Sequence, residues 1–174
     1  MRLQTVLVLV GILALAACSV SVDDDSTHKK ADVEIRTPIG DVSVHTGVDA
    51  PDTGLAVYPG STPLRDRREA ESANVTVGNS LFGVNVAAAK FASDASADEV
   101  VRYYRQAMRA HGEVVECHGD INFRRSGPVC REGLFSKKKQ TQLAVGTEER
   151  HRLVSVKPRG SGSEYSVVFV QTRS

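Results

Sequence analysis

The best-specified element of this chain is a stretch whose apolar residues repeat at the spacing of a helix, and it predicts one main amphipathic helix packed beside a sheet. Ser96-Ala97-Asp98-Glu99 opens that stretch as a capping box, in which a hydroxyl at the N-cap and a carboxylate three residues later satisfy two backbone donors that the first turn leaves unpaired. Positions 97, 100, 101, 104, 107, 108 and 111 then fall on one side, and Gly112 is a natural stop.

Strand patterns lie on both sides of it. Val33, Ile35 and Thr37 alternate, Pro38-Ile39-Gly40-Asp41 offers turn chemistry, and Val42, Val44 and Thr46 alternate again, which predicts a β-hairpin over residues 32–46. Leu55-Ala56-Val57-Tyr58 runs into a Pro59-Gly60 turn, where the main domain is expected to begin. Strands are expected at residues 73–78 and 81–92; Phe82, Val84 and Val86 share one face, and the shift of parity to Ala89 and Phe91 predicts a bulge or bend near Ala88. Beyond the helix, a strand is expected near Cys117, then a long polar and basic segment over 118–139, then strands at 141–147, 151–157 and 164–172. Val167-Val168-Phe169-Val170 is apolar on both faces, as a central strand requires.

The chain has 174 residues, 41% hydrophobic and 25% charged, which suits one domain with a core and is too apolar for wholesale disorder. The expected fold class is α+β: a mainly antiparallel sheet packed against one main amphipathic helix, with an N-terminal β-hairpin. The expected organisation is a leader over 1–17, a tether over 18–31, the hairpin and a linker over 32–50, and a globular domain over 55–174. Residues 19–31 are polar and charged without a core period, and a flexible stretch of that length spans roughly 20 Å.

The leader starts with Met1-Arg2 and is apolar from Leu3 to Ala17 apart from Gln4 and Thr5, the layout of a secretory signal. A spanning helix needs about 20 apolar residues, and this run stops short and is followed closely by Asp23-Asp24-Asp25. It ends in Leu15-Ala16-Ala17-Cys18. That sequence resembles the lipobox of bacterial lipoproteins: an aliphatic residue, two small residues and an invariant cysteine. The resemblance implies that the Cys18 thiol takes a diacylglycerol and that the leader is cut before it, leaving the mature chain on a membrane through its lipid. Two or three acyl chains hold a protein stably, since each buried methylene adds about 0.8 kcal/mol. Ser19, after the cysteine, resembles lipoproteins sent to the outer membrane, so the expected location is the bacterial cell envelope, lipid-anchored, on the outer membrane. The alternative is an ordinary signal peptide with a chance cysteine near its end.

The segment from Tyr58-Pro59-Gly60 through the helix, with its Tyr103-Tyr104 step, to residues 143–158 resembles small uncharacterised domains of bacterial envelope lipoproteins. It covers about two thirds of the chain, and it implies a fold and no activity.

With Cys18 assigned to lipid, Cys117 and Cys130 remain, and a pair in an exported protein reads as a disulfide worth roughly 2–3 kcal/mol in the chain-entropy model. The rival is a metal site drawn from His111, Cys117, His118 and Cys130, whose spacing lacks the paired ligands of zinc motifs, so no metal and no cofactor is expected. Two unpaired thiols are the third possibility.

Charge is balanced overall. The precursor carries 22 basic against 21 acidic residues, and losing Arg2 with the leader leaves the mature chain neutral, so no global field points to nucleic acid. Locally, Arg124, Arg125, Arg131, Lys137, Lys138 and Lys139 are offset only by Glu132. Such a cluster is a candidate contact for an anionic partner, a lipid phosphate, an acidic glycan or an acidic envelope protein, because guanidinium groups grip phosphate and carboxylate in a bidentate way; the alternative is a solvated loop. Arg102, Arg105 and Arg109 form a second basic row on the helix, and only Phe123 and Phe135 interleave as stacking groups. No His-Glu-x-x-His, P-loop or Gly-x-Ser-x-Gly is present, and no catalytic residue is assigned. The functional expectation is a non-catalytic binding or structural role at the envelope; the alternative is a small enzyme or ligand-binding module acting on an anionic envelope molecule.

Overall fold

The computed structural model describes residues 19–25, 30–37, 40–46, 53–64, 72–79, 81–131 and 140–173. The capping box forms as expected: Ser96 N–H donates to the Glu99 carboxylate at 2.9 Å, and Glu99 N–H donates back to Ser96 Oγ. The Ser96 hydroxyl, which donates to the same carboxylate at 2.7 Å, and then the Ser96 backbone N–H hold the Glu99 carboxyl below its usual range. Helix α1 runs Ala97–Met108 and tightens into a 3-10 turn over Arg109–His111, which Gly112 ends at a φ of 131°.

The strands, in chain order, are β1 Ser19–Asp25, β2 Lys30–Thr37, β3 Gly40–Thr46, β4 Thr62–Pro63, β5 Ser72–Gly78, β6 Gly83–Ser93, β7 Val115–Cys117, β8 Asp120–Arg124, β9 Gly127–Arg131, β10 Thr141–Gly146, β11 Arg150–Arg159 and β12 Gly162–Arg173. Ten of them form one antiparallel sheet in the order β1-β2-β3-β5-β6-β12-β11-β10-β7, with β4 paired to β6; β8 and β9 make a separate hairpin. The doubly apolar strand β12 lies between β6 and β11, the central place its sequence calls for.

Helix α1 packs under β10, β11 and β12. Val100, Val101, Tyr104 and Met108 meet Ala89 and Phe91 of β6, Tyr165 and Val167 of β12, Val154 and Val156 of β11, and Leu143 and Val145 of β10, all buried. Each such side chain contributes about 1.5–3 kcal/mol by leaving water. The Tyr58-Pro59-Gly60 turn is tied to this core: Tyr104 Oη donates to Ala56 O at 3.1 Å, Tyr58 N–H donates to Tyr165 Oη at 3.2 Å, and the Tyr58 and Tyr103 rings meet edge to face. Burial first, and the neighbouring Tyr165 hydroxyl second, push the Tyr104 phenol far above its usual pKa.

Several expectations need correction. The fold is sheet-dominated and not a balanced α+β class: among the described residues strand makes up 63% and helix 13%. A helix about 10 Å wide covers two or three strands at their spacing of about 4.8 Å, so the rest of this sheet extends past it. The tether expected over 18–31 is strand over Ser19–Asp25, because Val20 and Val22 continue, on the new edge, the alternation that Val33 and Ile35 set in β2. The hairpin of residues 32–46 forms, but β3 pairs with β5, so it is built into the main sheet. No bulge occurs at Ala88: β6 pairs with β12 without a break from Gly83↔Arg173 to Ser93↔Ser163. The parity shift records a change in which face is apolar, since Ala87, Ala89 and Phe91 face the helix side while Val84 and Val86 face away. Phe82 precedes the strand and stands on the turn.

The outer sheet carries two apolar rows. Val20, Ile35, Val42, Val77 and Val84 are direct neighbours across β1, β2, β3, β5 and β6, and a second such row runs from Val22 to Val170.

Candidate functional site

Of the candidate residues, Cys18 and Lys137, Lys138 and Lys139 lie outside the described residues, as does Phe135. Cys117 and Cys130 are joined in a disulfide with Cα atoms 5.5 Å apart, which resolves the three possibilities the sequence left for this pair. The bridge takes both thiols out of any metal set, and among the described residues no three His, Cys, Asp or Glu side chains gather as ligands.

The bridge pins the β8–β9 hairpin to β7 on the face turned away from the helix. Residues 118–131 were expected as part of a polar segment; their strand signal, Ile121, Phe123 and Val129, is short and broken by charge, and Pro128 fits only because β9 is an edge. An isolated two-stranded hairpin is marginal in water, so its position depends on what it is fastened to. At its tip, Phe123 stacks on His151 of β11 with ring centroids 3.7 Å apart, and Glu148 N–H donates to Arg124 O at 3.0 Å. His151 Nδ1 lies 3.0 Å from Thr147 O, and burial lowers the imidazole pKa against the pull of the Thr147 and Glu148 backbone. With one face of Phe123 on His151, the stacking group the sequence offered is already occupied.

The hairpin separates the basic residues. Arg124 and Arg125 stand exposed at the tip, whereas Arg131 sits at the far end of the ladder opposite Asp120, about four residues or 13 Å away. On the helix, Arg105 pairs with Glu116 of β7 and Arg109 donates to the neutral Gln106 amide, so one charge of the second row is offset by a carboxylate.

Sequence reading missed three features. Arg152, 9% exposed, enters the core side of β11, donates from Nε to Thr53 O at 3.0 Å and lies 4.7 Å from the Phe169 ring centre. Nothing in the alternation of β11 marks a position that reads as polar as buried. Near the other end of the sheet, Lys90, Gln140, Ser155, Lys157, Glu164 and Ser166 line a shallow depression of about 140 Å³, where Lys157 pairs with Glu164 at 3.0 Å. Its one carboxylate is held by that lysine, and its lining offers hydrogen bonds to a small polar molecule.

The third feature is the β5–β6 turn. Asn79 Oδ1 accepts from Leu81 N–H at 2.8 Å and Phe82 N–H at 2.9 Å, while Asn79 N–H donates to Phe82 O at 2.7 Å. The turn is closed over Gly78 and Gly83, where a Cβ on Gly78 would come 2.8 Å from Phe82 O. Leu81 is left 82% exposed and Phe82 47%. The run Gly78-Asn79-Ser80-Leu81-Phe82-Gly83 carries the signal: two glycines and an asparagine bracket two large apolar residues.

This chain matches no protein-family model, no curated protein and no solved structure. No helix among the described residues is long and apolar enough to cross a membrane.

Proposed function

We propose that this chain is a lipoprotein of the bacterial envelope, held on the outer membrane by lipid on Cys18, whose sheet domain has a non-catalytic binding or structural role at that surface. The observation that carries the reading is Leu15-Ala16-Ala17-Cys18 at the end of an apolar leader, in the order and position of a lipobox. The Cys117–Cys130 disulfide supports it, because structural disulfides persist in oxidising compartments such as the periplasm. The exposed Arg124 and Arg125 suit an anionic partner at the membrane, a headgroup phosphate or an acidic envelope component.

The test is acyl labelling in a bacterial host. The parent chain should take up labelled fatty acid and fractionate with membrane, and Cys18→Ala should take up none and accumulate uncleaved or leave the membrane. Label on the Cys18→Ala chain would refute the assignment.

A further inference from the structure

We propose that the end of the sheet at which β1 begins lies on the bilayer, with Leu81 and Phe82 of the β5–β6 turn entering the lipid interface. The inference rests on the reading of Cys18 as the lipid-bearing residue and adds an orientation and a second contact to it.

The strand register supplies the geometry. Ser19 pairs with Arg36, Arg36 with Asp41, Asp41 with Gly78, Gly78 with Gly83, and Gly83 with Arg173, so these residues form one file across six strands. Cys18 is covalently next to Ser19, the first residue of β1. The turn that carries Leu81 and Phe82 closes the Gly78↔Gly83 pair in the same file. Three strand spacings, about 14 Å, separate Ser19 from Gly78. No slack remains for the domain to stand off the surface, because the chain is already in the sheet one residue after Cys18.

The distribution of exposed apolar side chains points the same way. Among the described residues, the large hydrophobics left exposed are Val20 at 63%, Val22 at 61%, Leu81 and Phe82. Leu81 and Phe82 lie just past the file, and Val20 and Val22 lie one and three residues inside it, so all four are within about 10 Å of this end. Exposed apolar side chains gathered at one end of a sheet suit a contact with a partner or a membrane, and a lipid anchor at the same end commits the contact to the bilayer. The turn is built to present these side chains outward, since the Asn79 side chain holds both backbone N–H groups. The Arg124–Gly127 tip, bonded to the β10–β11 turn beside Thr172, brings Arg124 and Arg125 to this end, where phosphate would meet them.

The chain has no tryptophan, so one introduced residue reports alone. Phe82→Trp, with Leu81→Trp as a second reporter in case the first fails to fold, is compared with Ser161→Trp in the β11–β12 turn at the opposite end. Each mature lipidated chain is placed in vesicles of phosphatidylethanolamine and phosphatidylglycerol with bromine on the acyl chains. The expected result is emission shifted to the blue and quenched several-fold more at 82 or 81 than at 161. Equal quenching at both ends, on a chain whose Cys18 acylation is verified by mass, overturns the docking and leaves the anchor standing. Protection of the residue from aqueous iodide without bromolipid quenching assigns the turn to a contact with a second copy of this chain and also overturns it. Absence of acyl on Cys18 removes the anchor and the docking together.

Discussion

Phe123 lies flat on the imidazole of His151, with planes 16° from parallel. This stack fastens the tip of the β8–β9 hairpin to β11, while the Cys117–Cys130 bridge fastens its base to β7. With the Glu148 N–H bond to Arg124 O at the tip, these attachments hold at both ends a hairpin that belongs to no larger sheet.

Removing the stack should loosen the tip first. Phe123→Ala is expected to cost about 2 kcal/mol, combining lost apolar contact with the roughly 0.5–1.5 kcal/mol of an aromatic pair. Hydrogen exchange checks the location: amides of β8 and β9 should exchange faster while those of β11 and β12 stay protected. Uniform acceleration across the sheet would contradict the local role.

His151 ties this corner to pH. Burial lowers its pKa from the ordinary 6.5, so the unfolded chain takes up a proton before the folded one does. The sign follows: the neutral-imidazole stability is complete above about pH 6.5 and is lost as pH falls through the folded value. The melting temperature should fall as pH drops from about one unit above 6.5 to about one unit below it, and His151→Phe should reduce that fall while keeping the ring contact. An identical fall in both chains would show that His151 does not titrate on unfolding.

The bridge can be tested by mass and by stability. The unreduced chain should be two hydrogens lighter than the reduced one, and Cys117→Ala with Cys130→Ala should lower stability by about 2–3 kcal/mol, measured by denaturant titration. Free thiols on both residues in protein purified without reductant would contradict the bridge.

Much of this fold was legible where local chemistry decides structure. The Ser96–Glu99 box, the valine alternation of β2 and β3, and the two-sided apolar run of β12 each act over a few residues, and each forms as its pattern reads. What was hidden depends on partners distant in sequence. Ser19–Asp25 reads as coil until β2 supplies the ladder, and the parity of β6 reads as a bulge until the limited reach of α1 is known. The same holds at the candidate site: the paired cysteines were readable, whereas the split between Arg124 and Arg131 appears only with the hairpin between them. The file that joins Ser19 to the Leu81–Phe82 turn spans four strands and has no local sign.

The Tyr-Pro-Gly turn should prove structural. Tyr104→Phe keeps the ring but leaves Ala56 O without its 3.1 Å donor, at a cost of about 1–2 kcal/mol. Ser96→Ala at the helix cap should cost about 1 kcal/mol. The two sites share no hydrogen bond, so the double variant should lose the sum; marked departure from additivity in denaturant titration would mean that the cap and the turn act as one unit.

Arg152 offers the sharpest test of the core. Its guanidinium is held over Phe169 and bonded to Thr53 O, yet among the described residues no carboxylate pairs with it, and desolvation, followed by the like charge of Arg150, lowers its pKa. A buried cation without a counter-charge carries a desolvation cost of several kcal/mol. Its hydrogen bond, about 1.5–3 kcal/mol, and its ring contact, about 0.5–2 kcal/mol, offset that cost without clearly exceeding it. Arg152→Met keeps the apolar stem and removes the charge, so it should leave stability within about 1 kcal/mol of the parent or raise it. Arg152→Ala instead empties the space beside Gly54, where the guanidinium now sits 2.7 Å from a Cβ built on that glycine, and should cost about 2 kcal/mol or more. The pair of variants separates packing from charge. If Arg152→Met is as damaging as Arg152→Ala in denaturant titration, the charge itself is stabilising, and an acidic partner must face it in solution.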